Sequence, residues 1–488
     1  MMTLFEGFEA CPDRVAFMLG DDALTYGELD RRSRRYAAGL AARGVSPGDR
    51  VAVQSGSSRD LLIALLGHLR SGVIHVPINT RYRAEEIAHI LSDSGAALVL
   101  YDEGAAAGEV ATTMGCPSVS LASLPSSEVA MPDATGDDAT AMLIYTSGTT
   151  GRSKGVALSL SALTANIGAT TGLWRWSPSD HLILTLPLFH VHGLGLGVLG
   201  TLLNQMTATI FPKFDAGEVV DAMARGGTIF MGVPTMYARL LAFLEDHASS
   251  QTSLSEMRLF TSGSAALPAS SHAAFEALTG HRILERYGMS ETGFTLSNPY
   301  DRERRAGTVG QAVPGYTVRI VDEAGETCPV NEPGEIWVRG DGMMRGYWGQ
   351  PEVTEAAFTD GWFRTGDVAL LDPEGYHRIL GRRSADIIKS GGFKISALEI
   401  EDVLLRHPAV REAAVLGLPD PEWGERIEAV VVVDPAHPFQ PQALRDLARD
   451  QLAAYKCPRD VHVMAELPRN ALGKLQKHRL KERLLVDE

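Results

Sequence analysis

The sequence predicts a mixed α/β and α+β protein: a large N-terminal body of helix-covered sheets, a β-rich subdomain, and a small mobile α+β cap at the C-terminal end. Three observations carry that prediction. Short runs rich in Val, Ile and Leu alternate with longer helical patterns over most of the chain, as expected of parallel strands buried between helices. From about residue 309 the texture changes to strand-like runs separated by Gly and Pro turns, which suggests a β-rich segment. A polar run, Gly-Arg-Arg-Ser-Ala-Asp at 381–386, then precedes a compact unit of mixed helices and strands.

Taken in order, strands are expected at 51–54, 97–101, 182–186 and 228–231, with helices over 25–43 and 59–69 between the first of them. The weakly polar run 193–211 contains Asn204 and Gln205, so it reads as a buried helix rather than a membrane span. Residues 316–322 and 334–339 read as strands of the β-rich subdomain. In the cap, a helix over 396–406 is stopped by Pro408, because proline cannot continue the hydrogen-bond ladder. Strands follow at 410–417 and 427–433, a helix at 442–455, a strand at 461–465 and a basic helix at 475–485. The predicted domains are therefore a body over 1–381 and a cap over 386–488, with a hinge near 382–386.

Composition narrows the function. The chain has 488 residues, enough for roughly two to four domains and a large core without disulfide staples. It carries 45 Lys and Arg against 60 Asp and Glu, a formal charge of −15. Such a surface repels polyanions, so no nucleic-acid partner and no membrane partner are expected. It leaves room for a local basic pocket. The cysteines Cys11, Cys116, Cys328 and Cys457 form no close pair, which argues against a disulfide framework or a zinc site. Glu6 and Glu9 stand where a signal peptide needs a basic start, so a cytoplasmic location is expected.

The most informative segment is 144–156, ITSGTTGRSKGV with Tyr145 after its first residue; it holds three glycines, five Ser or Thr hydroxyls and two cations behind the apolar run AMLIY. Glycines let backbone N–H groups turn inward around an anion. Hydroxyls add donors, and Arg152 and Lys154 add charge. It is not a Walker A loop, because Gly151 is followed by Arg152 and Ser153 rather than Lys and Ser or Thr.

With Thr146, Ser147, Gly148, Thr149, Thr150, Gly151, Lys154 and Gly155 in place, the segment TSGTTGRSKG resembles the signature of the adenylate-forming superfamily, which includes acyl-CoA synthetases, peptide-synthetase adenylation domains and luciferases. The resemblance extends over nearly the whole chain, through YGMSET at 287–292, FRTGD at 363–367 and LPRNALGKLQK at 467–477. It implies ATP, Mg²⁺ and coenzyme A as cosubstrates or cofactors. By that resemblance Tyr287 and Gly288 lie at adenine, Ser290 donates to the α-phosphate, Glu291 holds Mg²⁺, Ser264 and Ala265 flank adenine, and Asp367 accepts the ribose hydroxyls. Lys474 enters the site for adenylation when the cap closes, and Thr149 and Glu291 join it as catalytic residues. Arg382 or its neighbour Arg383 matches the interdomain arginine. The run GRRSAD has one residue more than the common family pattern, which leaves Ser384 and Ala385 both open as the hinge residue. Lys389, Gly391, Gly392 and Lys394 form a basic, glycine-containing stretch suited to the phosphates of coenzyme A.

Two further patterns are read as decoys. Gly195, Gly197 and Gly200 match GxGxxG with Asp215 downstream, but Pro187 and two histidines separate them from the preceding strand, where a dinucleotide loop needs a tight turn. Close helix packing explains these glycines better. His190 and His192 resemble a metal pair without a third ligand nearby. The acid activated is read from Arg286, which precedes Tyr287. A guanidinium facing the acyl pocket disfavours a fatty tail and can grip a second carboxylate. The segments FHVHGLGLG, FMGVPTMYARLL, ERYGMSET and GRRSADIIKSGGFKI resemble malonyl-CoA synthetases, which also take methylmalonate. The expected partner is therefore a short dicarboxylic acid held by Arg286 with His190 and His192; the bland alternative pairs Arg286 with Glu285 or Asp301. An adenylation enzyme that activates another short acid and loads a carrier protein is the second reading.

Overall fold

The computed structural model describes residues 4–124, 126–127, 138–146, 152–247, 254–383, 386–390, 393–421, 423–469 and 475–486. The chain divides into two compact units. One takes in Met1–Leu267, Ser271–Thr317 and Val338–Trp362, and the other Pro268–Ser270, Val318–Trp337 and Phe363–Glu488.

The first unit is built on two large sheets. One runs, in spatial order, through strands Ser118–Ser120, Leu98–Tyr101, Arg50–Gln54, Ile74–Pro77, Thr140–Thr146, Lys154–Ser159 and Gly346–Tyr347. Its first five strands are mutually parallel, and the hairpin 140–159 closes it antiparallel. The other sheet orders Asp22–Thr25, Val15–Leu19, Thr207–Ile210, His181–Leu184, Ile229–Gly232, Leu259–Ser262, Leu284–Met289, Gly293–Ser297 and Gln311–Ala312. Its central strands are parallel, and Leu284–Met289 turns back on Gly293–Ser297 as an antiparallel hairpin. The strands predicted from Val, Ile and Leu runs all lie in these sheets, because strands buried on both faces cannot alternate polar with apolar residues.

Local signals explain the helices between them. Tyr26–Ala42 starts at Thr25, whose hydroxyl accepts from Glu28 N while the Glu28 carboxylate accepts from Thr25 N, a reciprocal cap. Arg59–Ser71 starts at Ser58 and ends at Gly72 with φ of 68°, where only glycine sits without strain. Asp215 caps Ala216–Ala224 by accepting from Glu218 N at 3.1 Å; it is a helix start and not a ribose ligand. The run 193–211 is not one helix. His192–Leu199 is a π-helix, Gly200–Leu203 a single α turn, and Thr207–Ile210 a strand. The break falls where Gln205 takes φ of 54°, and the β-branched residues after it favour the sheet. A Cβ at Gly197 would lie 2.8 Å from Leu184 Cδ1, and one at Gly193 would collide with the Pro187 carbonyl. The glycines serve close packing, as read from the sequence.

The second unit holds most of the sheet formed by strands Tyr316–Val321, Gly334–Gly340, Trp362–Leu371 and His377–Arg382. A second sheet orders Phe393–Ser396, Ile387–Ser390, Gly424–Val433 and Val410–Asp420, with Asp460–Val463 parallel to Gly424–Val433. Helices Ala397–Leu404 and Pro441–Gln451 pack on one face through Ile400, Leu404, Leu444 and Ala448. Lys477–Val486 packs on the other through Leu480 and Leu484. The helix predicted over 442–455 ends at Gln451. Among the described residues no helix is long and apolar enough to cross a membrane.

Candidate active site

The strand Leu284–Met289 and its antiparallel partner Gly293–Ser297 place five of the predicted site residues of the first unit, Arg286, Tyr287, Gly288, Ser290 and Glu291. Asn166, buried on the helix Leu160–Leu173, clamps this hairpin. Its Nδ2 donates to Phe294 O at 2.8 Å and lies 2.9 Å from the Tyr316 hydroxyl, and its Oδ1 accepts from Phe294 N at 2.9 Å. Gly293 has φ of 65°, with Asn166 against it, so the turn of the hairpin requires glycine there.

Arg286 is buried, with 5% of its surface exposed. Its guanidinium lies over the Phe294 ring, Cζ 4.6 Å from the centroid. On another side it presses against Gly263, where a Cβ would come within 2.5 Å of Cζ. Its Nε and Nη2 have no hydrogen-bond partner. The two carboxylates that could have paired with it are occupied elsewhere. Glu285 accepts from His272 Nε2 at 2.8 Å and from Gly307 N at 2.9 Å, and Asp301 pairs with Arg175 at 2.6 Å. Burial of this unpaired charge pushes the Arg286 guanidinium down to about 9 from its ordinary range, because desolvation disfavours the charged form.

His190 and His192 belong to the same neighbourhood. The His192 ring meets Phe294 edge-on with centroids 6.0 Å apart, so Phe294 is shared between it and Arg286. Nε2 of each histidine is buried and unpartnered. Burial lowers His190 to about 4; burial first, then the neighbouring Arg286 and the His190 ring, whose own protonation would compete, holds His192 well below its ordinary range. Both rings are therefore neutral at pH 7, each able to donate one hydrogen bond. Ser262 Oγ, on the strand beside Leu284–Met289, is a fifth buried atom without a partner. Buried polar groups are ordinarily satisfied. Several orphans around one guanidinium mark a place shaped for an anion from outside the chain.

The glycine-rich segment lies within the hairpin 140–159. Thr146 and Lys154 are its last register pair. Between them Ser147, Gly148, Thr149, Thr150 and Gly151 lie outside the described residues. Lys154 Nζ sits 5.1 Å above the centre of the Tyr347 ring, and the Tyr347 hydroxyl donates to Glu291 Oε1 at 3.1 Å. The segment around Tyr347 is laced to both neighbours, since Met344 N donates to Glu291 O at 2.8 Å and Trp348 N to Gly155 O at 2.7 Å. Glu291 is buried, with 7% exposure, one hydroxyl away from the cation of the glycine-rich loop. Tyr287, Gly288 and Ser290 are half-buried on the same strand and the turn after it. Ser264 and Ala265 are exposed, with Ser264 at φ of 70°.

In the second unit Asp367 accepts from Arg382, Nε to Oδ1 at 3.0 Å, and Arg382 Nη1 donates to Thr365 O at 2.9 Å. Arg383 turns instead to Glu335 at 3.3 Å. Of the two arginines left open by the sequence, Arg382 is the one at Asp367. Lys389 is exposed. Ser384, Ala385, Gly391, Gly392 and Lys474 lie outside the described residues, as does the side chain of Lys394. Lys477 is described, ion-paired with Asp386 at 2.6 Å and Glu401 at 2.7 Å.

Sequence reasoning missed Phe294, Asn166 and Tyr347, and the place of Gly263 against Arg286. A buried Asn within an apolar helix was a usable signal for Asn166. The other three become visible only when distant segments are brought together.

Residues 4–348 match the model of the AMP-binding enzyme family and residues 399–474 that of the AMP-binding enzyme C-terminal domain. The chain belongs to the AMP-binding enzyme family, the adenylate-forming superfamily indicated by its motifs. It is 34% identical to the malonate–CoA ligase of Arabidopsis thaliana, over 98% of this chain and 87% of that protein. It is 36% identical to a feruloyl-CoA synthase of Amycolatopsis sp, over 97% and 96%. Among solved structures it is similar to ATP-bound MatB from Rhodopseudomonas palustris, with a TM-score of 0.91, 37% identity, and 99% and 98% of the two chains covered. The two sequence relatives are named for different acids, malonate and ferulate.

Proposed function

We propose that the protein is an ATP-dependent acid–thiol ligase that activates a short dicarboxylate, malonate or methylmalonate, as its acyl-adenylate and passes the acyl group to coenzyme A. The observation that carries the choice of acid is Arg286, buried and unpaired beside the orphaned His190, His192 and Ser262. A monocarboxylic acid with an apolar tail would leave that charge desolvated and unmet, at a cost of several kcal/mol. The distal carboxylate of a short diacid would meet it with two charge-assisted hydrogen bonds.

The chemistry sets what the remaining residues do. A carboxylate and ATP repel each other, so the site must neutralise charge and hold the attacking oxygen in line with the α-phosphorus. In the first step that oxygen bonds to the α-phosphorus and pyrophosphate leaves. Lys154 and the hydroxyls of the glycine-rich loop, Thr146, Ser147, Thr149 and Thr150, receive the phosphates, and Ser290 donates to the α-phosphate. Glu291 is the residue that would hold Mg²⁺. A single buried carboxylate beside the phosphate loop fits that ion, which takes few protein ligands and completes its shell with phosphate and water oxygens. When bound, the ion supplies charge neutralisation on the phosphates. Tyr287 and Gly288, with Ser264 and Ala265, take adenine, and Asp367, oriented by Arg382, takes the ribose hydroxyls. Lys474 supplies an ammonium bridging the substrate carboxylate and α-phosphate.

In the second step the thiolate of coenzyme A bonds to the acyl carbon and AMP leaves, which needs no nucleophile from the chain. Residues 382–386 serve as the hinge between the body and the cap, and Lys389, Gly391, Gly392 and Lys394 receive the phosphates of coenzyme A. The test is a panel of acids, including malonate, methylmalonate, propionate and ferulate, incubated with ATP and coenzyme A and read by mass spectrometry. Malonyl- or methylmalonyl-CoA should dominate. A feruloyl or propionyl product at equal rate overturns the assignment of the acid.

A further inference from the structure

The glycine-rich loop springs from two limbs, and one helix outside the site holds both. On Ala84–Ser94, His89 and Asp93 lie four residues apart, so their side chains share one face. His89 Nε2 lies 2.7 Å from Ser153 O. A carbonyl only accepts, so Nε2 carries the proton. Asp93 Oδ2 accepts from the Tyr145 hydroxyl at 2.7 Å. The His89 and Tyr145 rings meet edge to face, 6.3 Å between centroids.

These contacts converge on Lys154. Ser153, before it, is tied to His89. Gly155, after it, lies against the Tyr145 ring, where a Cβ would stand 3.2 Å from Cζ, and its carbonyl accepts from Trp348 N. Tyr145 is itself the register partner of Gly155. The backbone on both sides of the phosphate-facing lysine is therefore held through polar side chains of one helix face. Apolar packing alone would bury the hairpin without fixing its end, because it is non-directional.

We propose that His89 and Asp93 are positioning residues for ATP, fixing through Ser153 and Tyr145 the geometry at which Lys154 meets the phosphates. The proposal rests on the reading of the glycine-rich loop as the ATP phosphate site. Neither residue touches the nucleotide.

The test measures binding of Mg·ATP to the full chain by titration calorimetry without any acid, so it does not depend on the identity of the substrate. Lys154→Ala should weaken ATP and so establish the loop. His89→Ala and Tyr145→Phe should each weaken ATP about fivefold, the value of one hydrogen bond. His89→Gln, which keeps an N–H donor at the same reach, should restore most of the affinity. If Lys154→Ala leaves ATP binding unchanged, the loop reading falls and the proposal with it. If Lys154→Ala weakens ATP and His89→Ala does not, the loop reading stands and the proposal alone is wrong. A loss in His89→Ala that His89→Gln does not restore, with a lowered melting temperature, marks a merely structural contact and also overturns it.

Discussion

At the scale of single residues, Arg286 concentrates the argument because its burial is unfavourable without a ligand. Removing a buried charge that has no partner relieves its desolvation cost. Arg286→Leu should therefore raise the melting temperature of the ligand-free protein while abolishing the upward shift that malonate gives the wild type. Calorimetry with and without malonate checks both halves. The buried histidines make a second prediction. His68 and His75 are fully buried, with Nδ1 atoms 2.9 Å apart, and His68 Nε2 is 2.7 Å from the Tyr36 hydroxyl. Burial holds His75 at about 3 and His68 well below its ordinary range. Their folded values lie below the unfolded value near 6.5, so protons bind the unfolded chain preferentially. Their contribution to stability is complete above pH 6.5 and is lost as pH falls from there toward 3, at up to about 1.4 kcal/mol per pH unit for each. Denaturant melts between pH 7 and 5 should show the loss, and His75→Asn should flatten it.

At the scale of elements, the hairpin 284–297 carries Arg286, Tyr287, Glu291 and Phe294 together, and Asn166 is what fastens it. Asn166→Ala leaves the Phe294 N–H and C=O without their buried partners, which should cost about 2 to 3 kcal/mol. Steady-state kinetics should show it weakening ATP and the acid together, whereas a change in one wall residue would weaken only one. Much of this scale was legible. Fully buried parallel strands announce themselves as Val, Ile and Leu runs, and caps such as Thr25 and Asp215 mark helix starts. The division of 193–211 into a π-helix, an α turn and a strand was not legible, because a weakly polar run does not mark the turn at Gln205, where φ is 54°. Arg286 was legible from its place directly before Tyr287; why the strand Leu284–Met289 needs Gly263 opposite Arg286 was not.

At the scale of the whole molecule, the chain carries a formal charge of −15, so the anionic ligands of the proposed reaction call for a few placed cations. The sequence offered Lys154, Arg286 and Arg382 for that role. The partners that give them their surroundings, Tyr347 beneath Lys154 and Phe294 beside Arg286, come from far along the chain and were hidden until folding brought them together. The central claim is that Arg286 reads the second carboxylate of the acid. The most direct measurement is the KM for malonate and for propionate in the wild type and in Arg286→Ala. Loss of a buried charge-assisted pair should raise the malonate KM about 100-fold and leave that for propionate within about twofold of its starting value. Small and equal changes for both acids would contradict the account.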